Sequence, residues 1–198
     1  HIKNSPYTES ETNTLFQTIH SRIKAKITAF LQSPSKTFRE YPKSNTSASS
    51  RYAQAIAFYR SPELDSALRI IDELIGEFPE DPYFYELKGQ ILFENGYPKK
   101  ALTFYEKTVK LLPDIALIRA DLGRVQLEQN DPNLLRNAIS NFQLALKKEP
   151  RRSFVWRQLG IAFGKLSLMG KSSRALAEEA LLKGLSKEAI RLAKRAQS

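Results

Sequence analysis

Apolar positions recur at intervals of three and four along most of the chain, the spacing of one face of an α-helix. The pattern is sharpest between Pro82 and Pro113. There Phe84, Leu87, Ile91 and Leu92 form one stripe and predict a helix from about Tyr83 to Glu94. Asn95-Gly96 ends it, because glycine accepts the left-handed cap conformation. Pro98 suits the first turn of a second helix, whose stripe is Ala101, Leu102, Tyr105, Val109 and Leu112. Gly89 falls in the middle of the first helix, where it costs about 1 kcal/mol relative to Ala. Such a residue pays off only if the second helix crosses close to it.

This order of large residue, small residue, glycine turn, Ala, aromatic and closing Pro resembles the tetratricopeptide repeat, a helix–turn–helix unit of about 34 residues. The matching positions are Tyr85, Gly89, Leu92, Gly96, Ala101, Tyr105 and Pro113. Lys88 stands where the family usually has Leu, and Thr108 where it usually has Ala. Further copies surround the unit. Upstream, Ala55, Phe58, Ala67, Ile71 and Pro79 repeat the order; downstream, Leu122-Gly123, Ala138, Phe142, Ala145 and Pro150 do so. The downstream copy needs about three extra residues near Asn130 to Leu135, expected in its turn. Trp156, Leu159, Gly160 and Phe163 open a fourth copy, with a turn expected at Met169-Gly170-Lys171. The Ala-rich stretch Arg174 to Gln197, interrupted at Gly184, fits a last helix pair. Arg174–Lys183 either completes repeat four or opens repeat five. At least three such units must stack to bury their apolar faces. The expected fold is therefore an all-α tetratricopeptide-repeat solenoid spanning residues 47–198.

Residues 1–46 do not show the repeat and read as an N-terminal extension with a capping helix. That helix is expected from about Glu11 to Leu31, with Leu15, Ile19, Ile23, Ile27 and Phe30 on its packed stripe. Ser33-Pro34-Ser35 breaks it, Phe38 and Tyr41 anchor a polar linker, and Thr46 or Ser47 caps the next helix. Ser5-Pro6-Tyr7 reads as extended chain or a turn.

No apolar run approaches the 18 or so residues of a membrane span. No leader sequence is recognisable at residue 1, and the abrupt start at His-Ile-Lys-Asn is that expected of a piece of a longer polypeptide. The absence of cysteine excludes disulfides and thiol catalysis. The net charge of +10 is uneven: residues 1–60 carry nine Lys/Arg against three Asp/Glu, residues 61–150 eleven against fifteen, and residues 151–198 eleven against three. An anionic partner would meet the basic ends, at Arg151-Arg152, Arg157 and Lys183 to Arg195. No nucleic-acid motif accompanies that charge, so these side chains read as solvation of outer helix faces and no nucleic acid is expected as partner.

Chemistry is sparse. The two histidines, His1 and His20, are too few for a zinc site without cysteine. No GxSxG, Walker or GxGxxG segment occurs. Adjacent carboxylates such as Asp72-Glu73 and Glu178-Glu179 diverge by about 100° on a helix and do not form an acid/base pair. No catalytic residue, metal ligand or cofactor site is assigned to this chain. The family resemblance instead implies a groove lined by the first helix of each pair. Its positions fall on Tyr52, Ile56 and Tyr59; on Tyr83, Glu86, Gln90 and Phe93; on Ala120, Arg124, Leu127 and Glu128; and on Phe154, Arg157 and Ile161. Ile56 and Leu127 read better as inter-repeat core. The rest make a mixed aromatic and charged surface, suited to an extended peptide or a partner helix. The two-Lys, two-Asn clamp for a free carboxylate tail is not evident there.

Taken in order, SPY near the start, RIKAKITAFLQSP with a following YP, RYAQAIAFYR, PYFYELKGQILFENG, WRQLGIAFGK and LAKRAQ resemble more than a generic repeat protein. They resemble the C-terminal region of bacterial periplasmic zinc metallopeptidases of the β-barrel assembly-enhancing type, especially alphaproteobacterial ones. That resemblance implies an upstream HExxH protease domain that would hold the zinc, a periplasmic location, and a tail engaging its own protease domain, outer-membrane assembly machinery or misfolded substrates. It implies no catalytic or metal residue within this chain. The alternative is a stand-alone scaffold or adaptor for envelope assembly or secretion.

Overall fold

The computed structural model describes residues 14–197, of which about four fifths belong to eleven α-helices, with no strand among the described residues. The expected turn at Ser5–Tyr7 lies outside them, as does the side chain of Leu15. The chain divides into two compact units, one ending at Pro79 and one beginning at Glu80.

The first unit holds α1 (Thr14–Leu31), α2 (Pro34–Glu40), α3 (Ala48–Arg60) and α4 (Leu64–Glu77). α3 and α4 form one helical hairpin. Ala53, Ala55, Ile56 and Ala57 of α3 are buried, as are Ala67, Ile71 and Leu74 of α4. Ser47 is the N-cap of α3, accepting from the Ser50 backbone N–H at 3.3 Å. Arg51 fastens the start of α3 to the end of α4 with two parallel bonds to Glu77, at 2.6 and 2.5 Å. α1 packs on α3, as a cap should, but not by the expected stripe. Ala25 and Ala29 are completely buried, whereas Ile23 and Ile27 are about half exposed and Leu31 more so. Small side chains let the two helix backbones approach closely. Arg60, at the end of α3, then donates to the carbonyl oxygens of Ala29, at 2.8 Å, and Gln32, satisfying the C-terminal end of α1.

The stretch expected as a linker contains α2. Ser33 caps it by accepting from Lys36 N–H, and Pro34 takes the first helical position, where no N–H is needed. Phe38 meets Phe58 edge-on at 4.8 Å between ring centroids. Gln54 holds the following turn, donating to Pro42 O at 2.9 Å.

The second unit contains three helix pairs and a final helix: α5 (Pro82–Glu94) with α6 (Pro98–Leu111), α7 (Ala116–Glu128) with α8 (Pro132–Lys148), α9 (Ser153–Lys165) with α10 (Met169–Leu182), then α11 (Ser186–Gln197). Each pair also packs on the next, α6 on α7 and α8 on α9. The close crossings required by the mid-helix glycines are present. A Cβ at Gly89 would lie 2.8 Å from the Tyr105 ring, one at Gly123 2.6 Å from the Phe142 ring, and one at Gly160 2.8 Å from Leu176. Gly96 has φ +82°, the left-handed turn expected of it.

The family departures have local causes. Thr108 is fully buried and donates its hydroxyl to Phe104 O at 2.8 Å, so it occupies the alanine position without an unpaired polar atom. Lys88 places its ammonium 4.4 Å from the centroid of the Phe104 ring. The extra residues of the third copy do not lengthen its turn. They lengthen α8, which has 17 residues against 14 in α6, because Asp131 caps it early by accepting from Asn133 and Leu134 N–H. The turn of the fourth copy falls at Leu166–Leu168, where Ser167 takes φ +59°, and Met169 already opens α10. Arg174–Lys183 thus belongs to repeat four: α10 pairs with α9 and also carries α11.

Candidate functional site

Of the groove positions, Tyr52, Ile56 and Tyr59 lie in the first unit and the others in the second; Ile56 is completely buried, as core. Tyr52 is completely buried; it is core, not surface. Its position on α3 faces into a helix whose buried residues run without a break from Tyr52 to Phe58, so no open stripe remains there. Tyr59 is half-buried.

In the second unit α5, α7 and α9, the first helices of three successive pairs, form a row. Phe93 near the end of α5, Arg124 in α7 and Phe154 at the start of α9 converge. The Arg124 guanidinium carbon stands 5.2 Å from the Phe93 ring centroid and 5.4 Å from that of Phe154. Both distances fall within cation–π range. Asp121, one turn earlier in α7, accepts from Arg124 Nη1 at 3.2 Å and orients it. This single bond leaves further donors of the guanidinium fork for a ligand. Phe154 is 48% exposed despite its size, which makes its partnership with Arg124 a surface feature and not core packing.

The remaining residues frame this triplet unevenly. Gln90 is half-buried and donates to Glu94 Oε1 at 3.0 Å. Glu128 is exposed at the end of α7, and Tyr83 is half-buried at the start of α5. Arg157 is exposed, 4.0 Å from Glu179 Oε1 of α10. Ile161 is exposed on the same side of α9 as Arg157 and Phe154, whereas Ala120 and Leu127 are buried. Glu86 does not belong to the surface: it is only 6% exposed. It lies close enough to the Tyr105 phenol to act with Asp121 on its titration. Burial chiefly, and then these carboxylates, hold that phenol protonated well above the ordinary tyrosine range.

Sequence reasoning missed Asp121 and Glu94, although their spacing of three and four from Arg124 and Gln90 is the ordinary signal of a helical side-chain pair. Among the described residues no group of three or more His, Asp or Glu converges as metal ligands. None of the described helices is long and apolar enough to cross a membrane. What the row can do chemically is stack on planar groups and donate hydrogen bonds from a preoriented guanidinium.

The fold is that of a tetratricopeptide-repeat solenoid, all α. MamA from Desulfovibrio magneticus RS-1 superposes over 85% of this chain and 96% of its own, with a TM-score of 0.71 at 17% identity. YrrB, described as a tetratricopeptide-repeat protein with an unusual peptide-binding site, superposes over 89% and 92%, with a TM-score of 0.68 at 15% identity. At such identities the likeness establishes the fold. No family model matches the chain, and no curated protein matches it in sequence.

Proposed function

We propose that the chain is a protein-interaction module that receives an extended peptide segment along the α5–α7–α9 row. The observation that carries this is the Arg124 guanidinium held between Phe93 and Phe154, one residue from each of three successive pairs. Such an arrangement is already ordered before a ligand arrives, so little side-chain entropy is lost on binding. Its free donors suit backbone carbonyls or a carboxylate, and its rings suit aromatic and aliphatic side chains. YrrB, of the same fold, has a peptide-binding site, which supports a peptide as the ligand class.

The finer reading follows the resemblance of the segments quoted above. The module acts as the recruiting tail of a periplasmic zinc-dependent peptidase in outer-membrane protein quality control, with the zinc in an upstream protease domain. The test has two arms. Peptides tiled from outer-membrane β-barrel sequences, titrated against the chain, bind to the native protein and at least tenfold more weakly to Arg124→Glu. Equal binding by both proteins defeats the groove assignment. The intact mass and N-terminal sequence of the natural gene product extend upstream through an HExxH helix. A natural chain that begins near His1 removes the peptidase reading and leaves the scaffold alternative.

A further inference from the structure

On the opposite side of α9 the second unit holds a cavity of about 860 Å³, within the size range of ligand sites. Trp156, Leu159 and Phe163 line it; they lie two residues on from Phe154, Arg157 and Ile161, hence about 200° around the helix. α8 and α10 form its two walls. The floor is the hydrophobic core itself: Leu146, Leu159, Phe163 and Ala175 are each at most 8% exposed. Gly160 and the Ser172 hydroxyl, which donates to Gly160 O at 2.8 Å, draw α10 onto α9, and the short side chain of Ala175 leaves the space open. Trp156 is fixed at the edge by its indole N–H, which donates to Pro150 O at 2.8 Å.

The rim is cationic. Arg136 and Lys147 stand on the α8 side, Lys171 and Arg174 on the α10 side, and no carboxylate lines the cavity. All four are exposed, and none forms an ion pair among the described residues. Arg136 donates only to the neutral Asn133 side chain, at 2.8 Å, and Lys171 lies 5.9 Å from the Phe163 ring centroid. Four unpaired cations around a recessed apolar floor call for a ligand that carries carboxylates outside and an apolar side chain inside.

We propose that this cavity is a second docking site, taking an acidic peptide segment anchored by a Leu or Phe side chain. Charge complementarity selects the acidic partner. Leu168 at the edge is 40% exposed, but Leu146, Leu159 and Phe163 are recessed. That recession favours a side chain that reaches in over a bilayer, which needs protruding apolar groups to insert. The site is independent of the α5–α7–α9 row, since it uses the other face of α9 and none of the row's residues.

Trp156 is the single tryptophan of the chain, so its emission reports occupancy directly. The probe is a short acetylated, amidated peptide alternating Glu with Leu and Phe, titrated into the whole chain. The expected result is a saturable shift of Trp156 emission. The affinity falls at least tenfold in Lys171→Glu/Arg174→Glu, and likewise in Lys147→Glu, with circular dichroism and melting unchanged. The same peptide with Lys for Glu produces no shift. Arg124→Glu retains the full response, which separates this site from the peptide row. An unmoved Trp156, an equal response to the lysine peptide, or an unchanged affinity in both rim variants overturns the proposal. So does a response to phosphatidylglycerol vesicles in place of the peptide.

Discussion

Glycine at a helix crossing and glycine on an open helix surface have opposite consequences, and this chain contains both. Gly123 of α7 lies against Phe142, whose ring would be 2.6 Å from an added Cβ and is fully buried, so it has nowhere to swing. Gly123→Ala gains up to about 1 kcal/mol of helix propensity. It loses about 1–3 kcal/mol to overpacking. Gly76, in the last turn of α4, has nothing within 4 Å of the added methyl. Gly76→Ala is therefore stabilising, by about 0.5–1 kcal/mol, through the unfolded chain. Denaturant titration of both variants checks the pair; a Gly123→Ala protein stabilised as much as Gly76→Ala refutes the close-crossing account. This much was legible in the sequence, because a mid-helix glycine is costly enough to demand a reason. The fate of Tyr52 and Glu86 was not. Both sit at groove positions of the repeat, and only the packing around them shows that one is core and the other turned inward.

Helix pairing and the ends of α5 followed from periodicity and caps, but the starts of α8 and α10 and the facing of α1 did not. For α1 the apolar Ile stripe looked like the packed face, yet Ala25 and Ala29 took that role. Hydrophobicity measures what a side chain gains on burial; it does not measure how closely two backbones approach. α2 was missed because Ser33-Pro34 serves equally as a break and as an N-cap followed by the first helical residue. Packing also sets an order of local stability within the second unit. α7 and α8 have helices packed on both sides, whereas α11 packs on α10 and buries only Leu192. In such stacked arrays stability is nearly a sum of unit and neighbour contributions. Amide hydrogen exchange is therefore slowest in α7 and α8 and fastest in α11. An α11 as protected as α7 contradicts this. In the first unit, Arg60→Ala removes the donors that hold the Ala29 and Gln32 carbonyls. The expected effect is faster exchange confined to the last turns of α1, with α3 and α4 unchanged.

Over the whole molecule the charge is distributed so that acid and alkali destabilise it by different routes. Glu77 and Glu188 titrate below the ordinary carboxylate range, each chiefly because an arginine, Arg51 or Arg191, donates hydrogen bonds to it. Folded, they release their protons more readily than unfolded, so their contribution is complete above the ordinary carboxylate range and disappears as pH falls through the depressed values. Both pairs meet solvent, so salt weakens them. Tyr105 behaves in the opposite sense. Burial raises its pKa, so its contribution is complete below about pH 10, where an unfolded tyrosine is still protonated. Above that, the unfolded chain loses the proton that the folded chain keeps, and stability falls by about 1.4 kcal/mol per pH unit from this one group. Because the phenol is buried, salt does not relieve the loss. The difference in unfolding free energy between the native chain and Tyr105→Phe, which keeps the ring against Gly89, should be flat up to about pH 10. Beyond it the difference should shift steadily in favour of the variant, equally in low and high salt. The acid-limb difference between the native chain and Glu77→Gln should shrink as salt is added. A parallel alkaline limb in Tyr105→Phe would mean that this phenol ionises in the folded protein, and that the crossing of α5 and α6 is open to water.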